Sequence, residues 1–149
     1  MQRNRRWLAV AGLLVAGLQL SACTQAPAEA ESGNAEPATV EHVEGSDVSR
    51  VTLTAKAAQR LGIQTAPIRR ATVNGRSRTV APYGAVLYDA KGETWVYVGR
   101  GPRSFVRERI IVDDIEGDQA VLTDGPAAGT LVVTVGAAEL YGTELGVGH

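Results

Sequence analysis

The sequence predicts a mainly β fold: a small antiparallel β-barrel-like domain that carries one short helix and follows a disordered tether. Two observations predict this class. Short runs rich in β-branched residues are separated by turn sequences, and apolar side chains recur at every second position within these runs. With 149 residues, the chain has the length of a single domain with one modest core.

Residues 1–22 have the pattern of a secretory signal peptide. Arg3, Arg5 and Arg6 form a basic start, and an apolar stretch follows over residues 7–20. As a helix, this stretch would span roughly 21 Å at about 1.5 Å per residue. That length is below the roughly 30 Å of a bilayer core, so the pattern favours a leader over a stable membrane span.

The end of the leader, Leu20-Ser21-Ala22-Cys23, resembles a bacterial lipobox, and Cys23 is the only cysteine of the chain. The resemblance implies that Cys23 is diacylated and anchors the protein to the periplasmic side of a bacterial membrane. It leaves open whether this is the inner or the outer membrane. An ordinary signal peptide with an unmodified cysteine is the alternative. A single cysteine also excludes an internal disulfide framework.

Residues 23–50 are interpreted as the lipidated cysteine and a disordered acidic linker. Residues 24–49 contain six acidic residues and neither lysine nor arginine, and they show no apolar periodicity. Such a composition buries too little apolar surface to offset the entropy lost on ordering. The folded domain is therefore expected over residues 51–145.

The folded region begins with a short helix and continues as strands. Thr54 is a candidate N-cap for a helix at Ala55–Leu61, with Ala55, Ala58 and Leu61 on its inner face and Gly62 as its stop. Strands are predicted at 64–73, 78–89, 94–99, 105–112, 119–123 and 130–135. The turns between them are predicted at 74–75, 91–92, 116–118 and 124–126.

Catalytic and cofactor motifs are absent from this sequence, which predicts a protein that is not an enzyme and has no cofactor or metal site. After residue 50 the chain contains no cysteine, and its only histidine is His149. Nucleophilic catalysis needs a base positioned beside a nucleophile. The acidic residues around Gly117 fail the EF-hand pattern, because Val112 and Thr123 would occupy the first and last ligand positions.

Charge is segregated along the chain, with net +9 over residues 50–109 and −7 over residues 110–149. The candidate residues for a protein contact are Arg100, Arg103, Phe105 and Arg107. Arginine and aromatic residues are enriched at interfaces. The alternatives are solvated arginines and a core position for Phe105. Nucleic acid is not expected as a partner, because the protein is expected to be exported.

Four sequence blocks, in order, resemble the periplasmic adaptor (membrane fusion) subunits of RND-type efflux pumps. They are residues 61–67 (LGIQTAP), 80–86 (VAPYGAV), the pair 94–98 (TWVYV) and 105–109 (FVRER), and 124–140 (DGPAAGTLVVTVGAAEL). The second block is similar to the adaptor pattern V-P-x-x-A-V, and the last to G-L-x-x-G-D-x-V-V-x-x-G-A-x-x-L, with Thr130 in place of the acidic residue. The resemblance covers roughly residues 51–141.

The resemblance implies the membrane-proximal β-rich part of an adaptor without its middle domains. Only a short segment separates the first two blocks, and no heptad pattern is present for a helical hairpin. The implied function is that of a lipid-anchored accessory component of an efflux system, which docks on an RND pump or on full-length adaptor subunits. The alternative is a free-standing periplasmic lipoprotein that binds a small molecule or a metal. The oligomeric state is not predicted.

Overall fold

The computed structural model describes residues 36–147 and confirms the predicted class, since the chain folds as an antiparallel half-barrel with short helices. The signal peptide, Cys23 and the first part of the linker lie outside the described residues. The strands are β1 (Ala38–His42), β2 (Ser49–Leu53), β3 (Gln64–Pro67), β4 (Arg69–Val73), β5 (Arg76–Pro82), β6 (Leu87–Tyr88), β7 (Thr94–Gly99), β8 (Ser104–Glu116), β9 (Gln119–Asp124) and β10 (Leu131–Val135). The helices are α1 (Ala55–Leu61), α2 (Ala137–Glu144) and a 3₁₀ turn at Tyr83–Ala85.

All strand pairs in the sheet are antiparallel, in the order β3-β10-β7-β8-β9-β5-β4. In addition, β2 pairs with both β1 and β8, and β6 pairs with β7. The long strand β8 joins the two halves of the sheet, because residues 105–110 pair with β7 and residues 111–116 pair with β9. The register shifts between Ile111 and Asp114. Such a bulge bends a strand and increases its twist, which curves this sheet into a half-barrel.

Side chains from the two faces of the sheet pack into two hydrophobic clusters. The interior cluster contains Ile68, Ala81, Ala85, Val96, Val98, Ile110, Ala120, Leu122 and Val132. The outer cluster lies where β1, β2 and both α-helices meet the sheet, and contains Val51, Leu53, Ala57, Tyr97, Phe105, Val133, Ala137 and Leu140. The predicted alternation of side chains between the two faces of the sheet is confirmed, since neighbouring residues of β7 and of β10 belong to different clusters.

Helix α1 has the predicted bounds and caps. The Ala57 amide donates to Thr54 Oγ1 at 3.2 Å, and Gly62 takes the left-handed conformation that ends the helix, with φ 60°. The expected inner face is wrong in one position, because Ala55 is exposed and Ala57 is buried instead. Burial of Ala57 follows from the tilt of α1 against β2, where it joins the outer cluster.

The predicted turns fall between strands. Val73 pairs with Arg76, so Asn74 and Gly75 form a two-residue hairpin turn, and both have positive φ. Two predicted runs are each divided. The run at 64–73 breaks at Ile68, which is buried in the interior cluster, and the run at 78–89 is interrupted by the 3₁₀ turn.

The predicted disordered linker is wrong for residues 38–50, because this segment forms strand β1, its loop and the start of β2. Residues of β2 pair with β8 through Arg50, Val51 and Thr52, and Val51 is fully buried. Strand β1 is mostly exposed and pairs only with β2. Tertiary contacts of β2 therefore order a segment whose composition alone predicts disorder.

The expectation of a single helix is also wrong, because α2 follows β10 directly. Gly136 precedes this helix with φ 90°, and a Cβ built at this position would lie 2.3 Å from Ile63 Cδ1. Glycine is required here both for the positive φ and for the close approach of Ile63. Ala137 and Leu140 then face the outer cluster.

Candidate functional site

The four predicted contact residues lie on the β7–β8 connection and in the first half of β8, but the structure divides them. Arg100 and Arg103 are exposed. Phe105 is only 6% exposed and packs in the outer cluster, which corrects its expected place on a contact surface. The Arg107 side chain is 11% exposed and belongs to a largely buried polar network. The exposed part of the predicted surface is therefore the loop that carries Arg100 and Arg103.

The β7–β8 loop is held in a fixed conformation against β2. The backbone amide of Leu53 donates to the Arg103 carbonyl at 2.9 Å, and Arg103 Nε donates to the Leu53 carbonyl at 3.2 Å. Arg103 has positive φ, 58°, which is uncommon for a residue with a side chain. Arg100 forms an ion pair with Glu108. These contacts present two guanidinium groups on a preorganised loop.

A buried ion pair joins strand β8 to helix α2. Arg107 Nε lies 2.9 Å from Glu144 Oε1 and 3.0 Å from Glu144 Oε2. The Glu144 side chain is 3% exposed. A carboxylate removed from water in this way needs hydrogen bonds to its remaining lone pairs as well as its counter-charge.

Two further donors supply those hydrogen bonds. The backbone amide of Ser49 donates to Glu144 Oε1 at 2.9 Å, and the Tyr97 hydroxyl donates to Glu144 Oε2. Arg107 Nη2 also contacts the Asp47 carbonyl at 3.5 Å. The carboxylate of Glu144 thus connects α2 with β7, β8 and the β1–β2 hairpin.

Two aromatic rings enclose the Arg107 guanidinium. Its Cζ lies 4.5 Å from the centroid of the Trp95 ring and 5.5 Å from that of Tyr141. Both distances fall in the range of cation–π attraction. Asp89 positions Trp95, because Asp89 Oδ2 accepts from Trp95 Nε1 at 3.2 Å. We call Arg107, Glu144, Tyr97, Trp95 and Tyr141 the arginine clamp.

Burial raises the pKa of Tyr97, and the hydrogen bond and negative charge of Glu144 raise it further. The Tyr97 hydroxyl therefore stays protonated and remains a donor. Within residues 36–147, no buried side-chain nitrogen or oxygen lacks a hydrogen-bond partner. Since Arg107, Tyr97 and Glu144 bind one another, the arginine clamp acts as a connection between elements.

A groove of about 490 Å³ lies beside the β1–β2 hairpin, between residues of α1 and of the end of α2. It is lined by Glu36, Pro37, Ala38, Val40, Leu53, Ala57, Arg60, Leu61, Thr143 and Val147. Leu53 and Ala57 are nearly buried and form its floor, whereas Val40 is 43% exposed and Val147 is 66% exposed. The groove is therefore apolar at its base and open to water.

Metal-site geometry is not found in the part of the chain that the structure describes, where no three histidine, cysteine or acidic side chains group together. Among the helices at 36–147, none is long and apolar enough to cross a bilayer. Comparison of the chain with models of protein families, with curated proteins and with solved structures finds no match.

Sequence reasoning missed most of the arginine clamp. Only Arg107 was among the predicted contact residues. Glu144 carries no sequence signal, because helix α2 is not predicted, and Tyr97 lies in the strand predicted at 94–99 with no polar partner indicated. The basic and acidic partners lie 37 residues apart, so only the packing of α2 against β8 brings them together.

We expect Glu144→Ala to destabilise the fold by about 3–5 kcal/mol, because it leaves the largely buried Arg107 charge without its partner. Arg107→Met combined with Glu144→Leu should cost less than the two single changes together. Urea unfolding measures each free energy. Arg100→Ala is the matched control, since its exposed pair with Glu108 should contribute at most about 1 kcal/mol. Equal losses for Glu144→Ala and Arg100→Ala would refute a central role for the clamp.

The raised pKa of Tyr97 predicts a loss of stability at high pH. Unfolded tyrosine has a pKa of about 10, so below that pH both states keep the proton and the stabilisation is complete. Above it, the unfolded chain ionises first, and stability falls by up to about 1.4 kcal/mol per pH unit until the folded pKa is reached. Tyr97→Phe should remove this pH-dependent loss of stability. The measurement compares unfolding free energies of both proteins between pH 9 and 11; parallel curves would contradict it.

Proposed function

We propose that this protein is a lipid-anchored periplasmic accessory component of an RND-type efflux system, which acts by docking and not by catalysis. The observation that carries the proposal is the packing of the four adaptor-like sequence blocks. The proposal also draws on the lipobox-like sequence at Cys23.

The adaptor-like blocks fall on elements that contact one another. The first block includes β3, the second lies on β5 and the 3₁₀ turn, the third on β7 and β8, and the fourth on β10 and the start of α2. Strand β10 pairs with both β3 and β7, and β7 pairs with β8. The interior cluster takes Ala81 and Ala85 from the second block, Val96 and Val98 from the third, and Val132 from the fourth. The segments that resemble adaptor subunits are thus packed together in the fold, which supports the proposal.

The tight turn between β4 and β5 indicates what such a component lacks. Full adaptors carry their lipoyl-like and helical-hairpin domains between the segments that correspond to the first and second blocks. In this chain the connection is the two-residue turn Asn74-Gly75. A protein of this shape needs a full-length adaptor or a pump to reach across the periplasm, which favours an accessory role.

The β7–β8 loop is the docking surface that the geometry favours. Arg100 and Arg103 are exposed on a loop fixed by backbone hydrogen bonds to β2. A preorganised loop loses little conformational entropy on binding. The proposed partner face is acidic, because the Arg103 guanidinium forms no ion pair in the described fold and guanidinium groups bind carboxylates well, although Arg100 would have to share its pairing with Glu108.

Because β1 begins at Ala38, the proposed tether is shortened to residues 24–37. An unstructured chain of that length reaches roughly 20 Å, compared with roughly 30 Å for the longer linker expected from the sequence. In the proposed arrangement the folded domain works close to the membrane surface.

A second candidate function is that of a free-standing periplasmic lipoprotein that binds a small molecule. The 490 Å³ groove favours it, since ligand sites commonly have volumes of about 300–1,000 Å³ and apolar walls. The two candidates differ in their predicted partner, which a crosslinking experiment identifies.

We expect a photo-reactive amino acid at position 100 to crosslink the protein to an RND pump or adaptor subunit in intact bacterial membranes. Position 91 is the matched control, because Lys91 is also exposed but lies in the turn between β6 and β7. Mass spectrometry identifies the crosslinked proteins. Arg103→Glu should reduce the product at least fivefold. Because it also removes the hydrogen bond from Arg103 Nε to the Leu53 carbonyl, the melting temperature of the variant verifies that the domain is still folded.

Two outcomes would contradict the docking proposal. One is the absence of pump and adaptor subunits from the products of both positions. The other is equal crosslinking from positions 100 and 91. The mass of the N-terminal peptide separately reports whether Cys23 is acylated, so a missing anchor is distinguished from a missing partner.

A further inference from the structure

The groove beside the β1–β2 hairpin has a continuous apolar base. Leu53 and Ala57, which are 3% and 7% exposed, form its floor as part of the outer cluster. Val40 on β1 and Val147 after α2 are among the most exposed apolar residues of the fold. A bound apolar group would cover these side chains, and each Å² removed from water stabilises by about 25 cal/mol.

Helix α1 makes one side of the groove basic. Arg60 lines the groove, and Lys56 lies one turn earlier on the same helix face. Neither forms an ion pair with a carboxylate of residues 36–147. The sequence between Asp47 and Asp89 contains no acidic residue, so no neighbour on α1 or its flanking segments neutralises these charges.

One acidic side chain, Glu36, also lines the groove. It forms no ion pair with Arg60 or with another basic residue of the described chain. Among the lining residues Arg60 and Glu36 carry opposite charges, and Lys56 adds a second cation one turn from Arg60, so the α1 side of the groove favours an anion. The combination is an apolar slot with a guanidinium at its rim.

We propose that this groove binds an anionic amphiphile, with the hydrocarbon tail over Leu53 and Ala57 and the carboxylate or phosphate head at Arg60. The hydrocarbon tail would cover the exposed side chains of Val40 and Val147 and remove them from water. The anionic head would form charge-assisted hydrogen bonds with Arg60, which has no ion pair in the described fold. This inference goes beyond the docking role and does not depend on it, because no residue of the β7–β8 loop lines the groove.

Isothermal titration of the purified full-length chain tests the proposal with dodecanoate as the probe, below its micellar concentration. Dodecyltrimethylammonium and dodecyl maltoside carry the same chain with a cationic and a neutral head. We expect saturable binding of dodecanoate, about fivefold tighter than that of either comparison. Arg60→Glu should abolish this preference.

Two valine substitutions provide a matched pair for the tail site. Val40 and Val135 lie in strands and are 43% and 42% exposed, but only Val40 lines the groove. Val40→Asp should weaken dodecanoate binding at least tenfold, and Val135→Asp should leave it unchanged. Because both side chains are exposed, neither change should prevent folding, and melting temperatures without ligand verify this.

Amide chemical-shift mapping on the unmodified sequence gives a readout without substitutions. Dodecanoate should perturb amides in residues 36–40, 53–61 and 143–147, and not those of the β8–β9 turn at residues 117–118. The proposal is overturned if no saturable binding occurs, if the cationic probe binds as tightly as dodecanoate, or if Val40→Asp and Val135→Asp weaken binding equally.

Discussion

The ion pair between Arg107 and Glu144 is the interaction on which the outer layer of this fold depends. A carboxylate that is 3% exposed is costly unless its lone pairs are satisfied, and Glu144 is satisfied by β8, β7 and the β1–β2 hairpin together. No single element completes this set. Because the donors from β7, β8 and the hairpin must all reach the Glu144 carboxylate, the position of α2 is coupled to that of the hairpin. Trp95 and Tyr141 then shield the guanidinium and fix its plane.

The arginines of the β7–β8 region differ in role. Arg107 is used inside the fold, whereas Arg100 and Arg103 remain exposed on a loop that β2 holds in place. A surface of this kind suits recognition of an acidic partner, and its rigidity derives from the same hairpin that the clamp orders. The groove is lined in part by Ala38, Val40 and Leu53 of that hairpin. The proposed docking role and the proposed amphiphile site therefore both depend on β1 and β2 being folded.

The core of the fold could be predicted from sequence because its signals are local. Helix α1 follows from Thr54 and Gly62, and β7 from the alternation that places Tyr97 opposite its valine neighbours. Strand β1 and helix α2 could not be predicted, since their order comes from distant contacts: β2 is held by β8, and α2 is held by Leu140 and Glu144. For the same reason only one member of the clamp, Arg107, was a candidate.

Native-state hydrogen exchange at the Ser49 amide tests the central role of the clamp most directly, because this amide donates to Glu144. In Glu144→Ala, the account predicts that Ser49 and the neighbouring β1–β2 loop amides exchange at least tenfold faster. The amides of Val96 and Val98, whose side chains lie in the interior cluster, should change far less. Unchanged exchange at Ser49, or an equal acceleration throughout the sheet, would contradict the claim that this ion pair holds the hairpin and α2 on the half-barrel.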